Sequence, residues 1–180
     1  MVGVLVLALS MFLGGCSPMS RHRDDTDDPA QPLSDDQART QVVSAAKQIT
    51  ALVNLPDMYA SFAFRSCNDQ ADPPYRGVVE MSFTLPLDDS SGVSAAVNPD
   101  SYFDQIAARM LSHGWSSGPP PGLHPYGHVI NQDGVMAIMT AGPNTGWARI
   151  QIYGECRNMT DHRNDGTTNW VKITDQLRTG

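Results

Sequence analysis

HVINQDGVMAIMTAGPNTGWARIQIYGEC, residues 128–156, is the stretch that decides the fold. It contains three strand-like runs, HVIN, VMAIMT and WARIQIYGEC, divided by two turn signals. Asp133-Gly134 is a hairpin step, because both residues tolerate the positive φ that a two-residue turn needs. Gly142-Pro143-Asn144-Thr145-Gly146 reverses the chain a second time. Three consecutive strands joined this tightly can only run antiparallel.

Outward from there toward the N-terminus, a Gly/Pro loop (Gly118-Pro119-Pro120-Pro121-Gly122) precedes the meander, and a helix precedes the loop. Asn98-Pro99-Asp100 supplies an N-cap with Pro at the first helical position. Tyr102, Phe103, Ile106, Met110 and Leu111 mark the apolar face, and Gly114 is placed to end the helix in a left-handed cap. Further back, Phe62 and Phe64 alternate with neighbours in SFAFRSC, and Val79, Met81, Phe83 and Leu85 do so in GVVEMSFTL. The polar, Pro-stiffened link Asn68 to Pro74 makes these two strands antiparallel neighbours. The first element opens on Ser34-Asp35-Asp36-Gln37, a capping box, and Ala38, Val42, Ala45, Ile49 and Leu52 recur at helical spacing until Pro56 approaches. The order α-β-β-α-β-β-β predicts a single α+β domain, two helices on one face of an antiparallel sheet, over residues 33–158. RNMTDHRNDGTTN and the residues after it read as a polar, solvated C-terminal segment, 159–180.

The other end of the chain is not domain-like. From Met1 to Phe12 only Ser10 is polar, a run too short to cross a bilayer that needs about 20 apolar residues. It fits the apolar region of a secretory signal peptide over 1–15. Such peptides ordinarily open with Lys or Arg, whereas this one opens Met1-Val2-Gly3; a start codon placed too far downstream would explain that. Leu13-Gly14-Gly15-Cys16 resembles the lipobox of bacterial lipoproteins. The resemblance implies a diacylglyceryl group on the Cys16 thiol, cleavage after Gly15, and a fatty acid such as palmitate among the acyl chains. Two or three chains make a stable anchor, where one gives only marginal binding. Residues 16–32 carry three prolines and four aspartates with almost nothing apolar, so they predict a disordered polar tether. The membrane, reached through lipid on Cys16, is therefore the expected first partner, and the extracytoplasmic face of the cell membrane the expected location.

Cys67 and Cys156 remain as an even pair in an exported, oxidising compartment. They form no CxxC arrangement, so a disulfide is favoured over free buried thiols or metal ligation. A formal net charge of −7 with 17% charged residues argues against a nucleic-acid partner, which needs a basic stripe.

Arg65-Ser66-Cys67-Asn68-Asp69-Gln70, Asp72-Pro73-Pro74-Tyr75, Met110 through Trp115, Gly118 through Gly122 and Gly154-Glu155-Cys156-Arg157-Asn158 resemble the LppJ-type lipoproteins of mycobacteria. The similarity runs from Leu33 to about His162. It implies an actinobacterial cell-envelope lipoprotein and brings no activity or ligand with it.

Chemistry-bearing motifs are sparse. Gly114-Trp115-Ser116-Ser117-Gly118 matches G-x-S-x-G, but a nucleophile elbow needs a strand before it and a helix after it. Here a helix precedes, and Pro119-Pro120-Pro121 forbids one after. His124 and His128 could share a metal on a helix, yet Pro125 and Gly127 separate them. Asp161, His162 and Asp165 form a further polar cluster, read as solvated. No cofactor, metal site or catalytic residue is expected. Trp115, Tyr126, Trp147 and Tyr153 flank the stiff loop and the meander and could line a binding groove for an apolar chain or a sugar face. The leading expectation is a non-catalytic domain that binds an envelope ligand or protein. The alternatives are a small envelope hydrolase, in which His113, His124 or His128 would reach Ser116 or an Asp, and a structural accessory module of an envelope assembly.

Overall fold

The computed structural model describes residues 31–88 and 95–178. The apolar run 1–15, Cys16 and the tether through residue 30 lie outside the described residues, as do 89–94 in the Asp/Ser/Gly loop. The elements are α1 (Asp35–Leu52), β1 (Tyr59–Ser66), β2 (Tyr75–Thr84), β3 (Leu87–Asp88), β4 (Ala95–Ala96), α2 (Pro99–Leu111), β5 (Ser116–Ser117), β6 (His128–Gln132), β7 (Val135–Ala141), β8 (Trp147–Tyr153), β9 (Val171–Lys172) and α3 (Thr174–Arg178). Seven strands form one antiparallel sheet in the order β5-β6-β7-β8-β2-β1-β9, and β3 pairs with β4 separately. The α+β architecture expected from the sequence is what forms.

Local signals account for the boundaries. Ser34 Oγ accepts from the Gln37 amide at 3.2 Å while Gln37 Oε1 accepts from the Ser34 amide at 2.9 Å, closing the capping box. Asn98 Oδ1 accepts from the Ser101 amide, with Pro99 at the first helical position. Asp133 and Gly134 both take positive φ, +48° and +78°, and Gln132 pairs directly with Val135. Gly114 follows α2 at φ +92°.

The core lies between helices and sheet. Ala38, Val42, Ala46 and Ile49 of α1 and Phe103, Ile106 and Met110 of α2 meet Val79, Met81 and Phe83 of β2 and Ile150 and Ile152 of β8. Each large aliphatic buried this way contributes about 1.5–3 kcal/mol relative to an exposed one. The Cys67–Cys156 bridge is formed, with Cα atoms 6.0 Å apart. It ties the end of β1 to the chain just beyond β8.

One region differs from its sequence reading. The segment after 158, expected as solvated, is built into the domain through Arg178. β9 pairs with the edge of β1, Ile173 and Leu177 enter the core, and His162 is fully buried. The His162 ring stacks on Phe64, centroids 4.1 Å apart and nearly parallel, and meets the edge of Tyr75. Its Nδ1 donates to Asp165 Oδ2 at 2.6 Å, and Asp35 Oδ1 lies 3.5 Å from Nε2. Arg163 reaches Asp161 and Asp72, fastening the segment to the β1–β2 connection. Composition alone reads such a stretch as loop, because its buried residues are one histidine, one threonine and two aliphatics within a long polar run.

Candidate ligand-binding face

Side chains alternate across a strand, so the register defines a second face of the sheet. Gly77 and Gly154 lie against α1, where a Cβ on either would collide with Ala38 or Gln41. Arg76, Val78, Glu80 and Ser82 of β2 therefore point away from the helices, as do Trp147, Arg149, Gln151 and Tyr153 of β8. Arg65 and Ala63 of β1 and Met136 and Ile138 of β7 continue this face. Among the described residues no helix covers it, although the loop at Gly127 comes against Ile138 and Thr140.

The exposed part of the face is polar and aromatic, while Ala63, Val78, Met136 and Ile138 on it are buried. Glu80 Oε2 accepts from Gln151 Nε2 at 3.0 Å and lies 3.7 Å from Arg149 Nη1. The Arg76 guanidinium sits over the Tyr153 ring at 4.7 Å, and Arg65 sits over Trp170 at 4.6 Å. The Nε atoms of Arg76 and Arg149 are buried without a hydrogen-bond partner. Burial draws the Arg76 guanidinium below its ordinary value, with Tyr153 acting weakly the other way. Beside Trp147 a cavity of about 330 Å³ is lined by Glu80, Ser82, Gly142, Pro143 and Arg149.

The four aromatics expected to line a groove separate. Trp147 (39% exposed) and Tyr153 share this open face, six residues apart on one strand, or roughly 20 Å. Trp115 is 4% exposed on the helix side, where its Nε1 donates to Gln48 Oε1 at 2.8 Å. Tyr126 is 92% exposed beside a different cavity of about 420 Å³, shared with Asp100, Phe103 and His128. Arg65, Arg76, Glu80, Arg149 and Trp170 do not stand out in the sequence as a group. A signal for some of them is present, since Trp147, Arg149, Gln151 and Tyr153 alternate with Ala148, Ile150 and Ile152.

The histidines divide similarly. His128 Nε2 lies 3.3 Å from Asp100 and Nδ1 3.5 Å from Asp104, so one His–Asp pair does line a cleft. Ser116 is not part of that cleft; it is exposed on β5, opposite Asn131. His113 Nδ1 is engaged locally by the Arg109 carbonyl and Ser112, and His124 is exposed in the loop. A nucleophile, base and orienting acid are thus not assembled around the G-x-S-x-G motif. Among the described residues no three His, Cys, Asp or Glu side chains are grouped to hold a metal ion, and no helix is long and apolar enough to cross a membrane.

No solved structure matches the chain. Relatives named "Putative lipoprotein LppJ" from Mycobacterium bovis and Mycobacterium tuberculosis are each 42% identical to it, covering 97% of this chain and 90% of the relative. The family model described as "Putative lipoprotein LppJ" matches residues 34–176, which takes in the whole sheet, α1, α2, the start of α3 and the buried His162 segment. The chain belongs to the LppJ family.

Proposed function

We propose that this protein is a lipoprotein of the cell envelope, held at the extracytoplasmic face of the membrane by lipid on Cys16. Its domain binds an envelope ligand or protein without catalysis, using the open face of the sheet. The observation that carries the binding role is the face itself. Trp147, Arg149, Gln151, Tyr153, Arg76 and Glu80 present aromatic rings, guanidinium groups and a cavity side by side on a rigid support. Sites on strands hold their groups more tightly than sites on loops. The lipobox-like Leu13-Gly14-Gly15-Cys16 and the lipoprotein names of the relatives support the anchor.

Two measurements test the two halves separately. Cys16→Ala should release or mis-process the protein; unchanged mass and unchanged membrane fractionation would refute lipidation. A photo-crosslinking residue at Ser82, on the open face, should capture envelope material in cells, while one at Thr40, on the solvent side of α1, should not. Equal capture at both positions, or none at Ser82, would remove the sheet face from consideration.

A further inference from the structure

Along the open face, four side chains from four neighbouring segments stand in a row: Trp170, Arg65, Arg76 and Tyr153. Arg65 and Arg76 occupy directly opposed positions in the β1–β2 register. Opposed residues bring their Cβ atoms to about 5 Å, and like charges placed so destabilise a sheet. Arg149, Arg157 and Arg163 each meet a carboxylate, at Glu80, Glu155, and Asp161 with Asp72. Neither Arg65 nor Arg76 does so among the described residues. Arg65 donates from Nη1 to the Thr168 carbonyl at 3.0 Å and otherwise stacks on Trp170. Arg76 stacks on Tyr153 and keeps a buried Nε without an acceptor.

We infer that Arg65 and Arg76 together form a binding site for a phosphate group. Stacking on Trp170 and on Tyr153 orients the two guanidinium groups, and apart from the Arg65 Nη1 bond to Thr168 their terminal Nη groups meet no acceptor among the described residues. Two such edges supply more donors than one carboxylate has oxygens facing them, whereas a phosphate offers three or four acceptors in a tetrahedral array. An anion there would also neutralise the opposed charges. The group could be a phospholipid headgroup or a soluble phosphate compound, since the chemistry of recognition is the same. The site lies near the root of the tether. Tyr75, next to Arg76, pairs with Asn158, and Asn158 bridges to Leu33, where the domain begins.

This inference rests on the open face being the binding surface, and its test separates the two. The full-length protein in detergent should bind inorganic phosphate saturably by isothermal titration, with a rise in melting temperature that chloride at equal ionic strength does not give. Arg76→Gln and Arg65→Gln should each weaken binding roughly tenfold or more, as the loss of a charge-assisted pair requires. Arg109→Gln, on α2 at the opposite side of the sheet, should change it by less than about twofold, since a charge that remote is screened by solvent. Should Arg76→Gln fail to fold, Arg76→Lys keeps the charge without the fork and should still bind more weakly than the native protein. Reconstitution into phosphatidylcholine vesicles with and without phosphatidylglycerol identifies the source. Added hydrogen-exchange protection of β1, β2 and the Trp170 segment in the phosphatidylglycerol vesicles assigns a lipid headgroup, and binding of inorganic phosphate alone assigns a soluble compound. Absence of saturable phosphate binding together with unchanged protection in both vesicles overturns the site. So does binding that survives both arginine replacements. Capture at Ser82 would persist in either case if only this inference is wrong.

Discussion

At Gly77 the spacing of α1 from the sheet is set by an absent methyl group. A Cβ built there would lie 2.5 Å from the Ala38 carbonyl oxygen, which is helix backbone and cannot move aside as a side chain would. The constraint is space, not conformation, so it acts on any larger residue. Gly77→Ala should cost about 1–3 kcal/mol, the range for overpacking a filled core. For a domain of this size that lowers the melting temperature by roughly 2–4 °C per kcal/mol. A melt superimposable on that of the native protein would show that α1 can retreat without cost. Single residues explain the caps as well: Ser34, Gln37, Asn98 and Gly114 do locally what their side chains, or the lack of one, make favourable. That is why those boundaries are legible without any tertiary contact.

At the scale of an element, the segment from Asp161 to Arg178 shows why polarity misleads. Asp165 is held down to about 2, chiefly by the hydrogen bond from His162 and then by those from Thr167. The Arg163 hydrogen bonds lower Asp161, and for Asp35 the bonds from Asn158 and Thr160 together with His162 outweigh the upward push of its burial. Carboxylates with folded values below their ordinary 3.8 stabilise the fold while the pH is above that value. Their contribution fades as pH falls through about 4 toward 2. Hydrogen exchange of β9 and α3 should therefore accelerate across that interval before the rest of the sheet opens, and Asp165→Asn should weaken the dependence. Exchange in β9 that stays flat from pH 5 to pH 2, or that matches the central strands throughout, would contradict this. In sequence these residues look like a solvated run of Asp, Arg, Asn and Thr. Only Phe64 and Tyr75, contributed from about a hundred residues earlier, give His162 a stacking surface and a reason to be buried.

For the whole molecule, the Cys67–Cys156 bridge closes a loop with a sequence separation of 89. In the chain-entropy model, constraining that loop in the unfolded chain stabilises the fold by roughly 4 to 5 kcal/mol. Cys67→Ser with Cys156→Ser should lower the thermal midpoint strongly, and non-reducing mass analysis of native protein should yield the Cys67–Cys156 peptide; free thiols at both positions would exclude the bridge in the living envelope. The sequence by itself determined the helix caps, the turns at Asp133-Gly134 and Gly142–Gly146, the α+β order and the apolar faces, because each depends on residues within a few positions of one another. It also pointed to the Cys67–Cys156 pair, because the lipobox-like setting of Cys16 sets that cysteine apart from the other two. Tertiary structure alone decided which aromatics share a surface, that residues after 158 complete the sheet, and that Arg65 faces Arg76. Those outcomes depend on strand register and on contacts between distant segments, and a register shifted by one residue would have turned every one of these side chains to the other face.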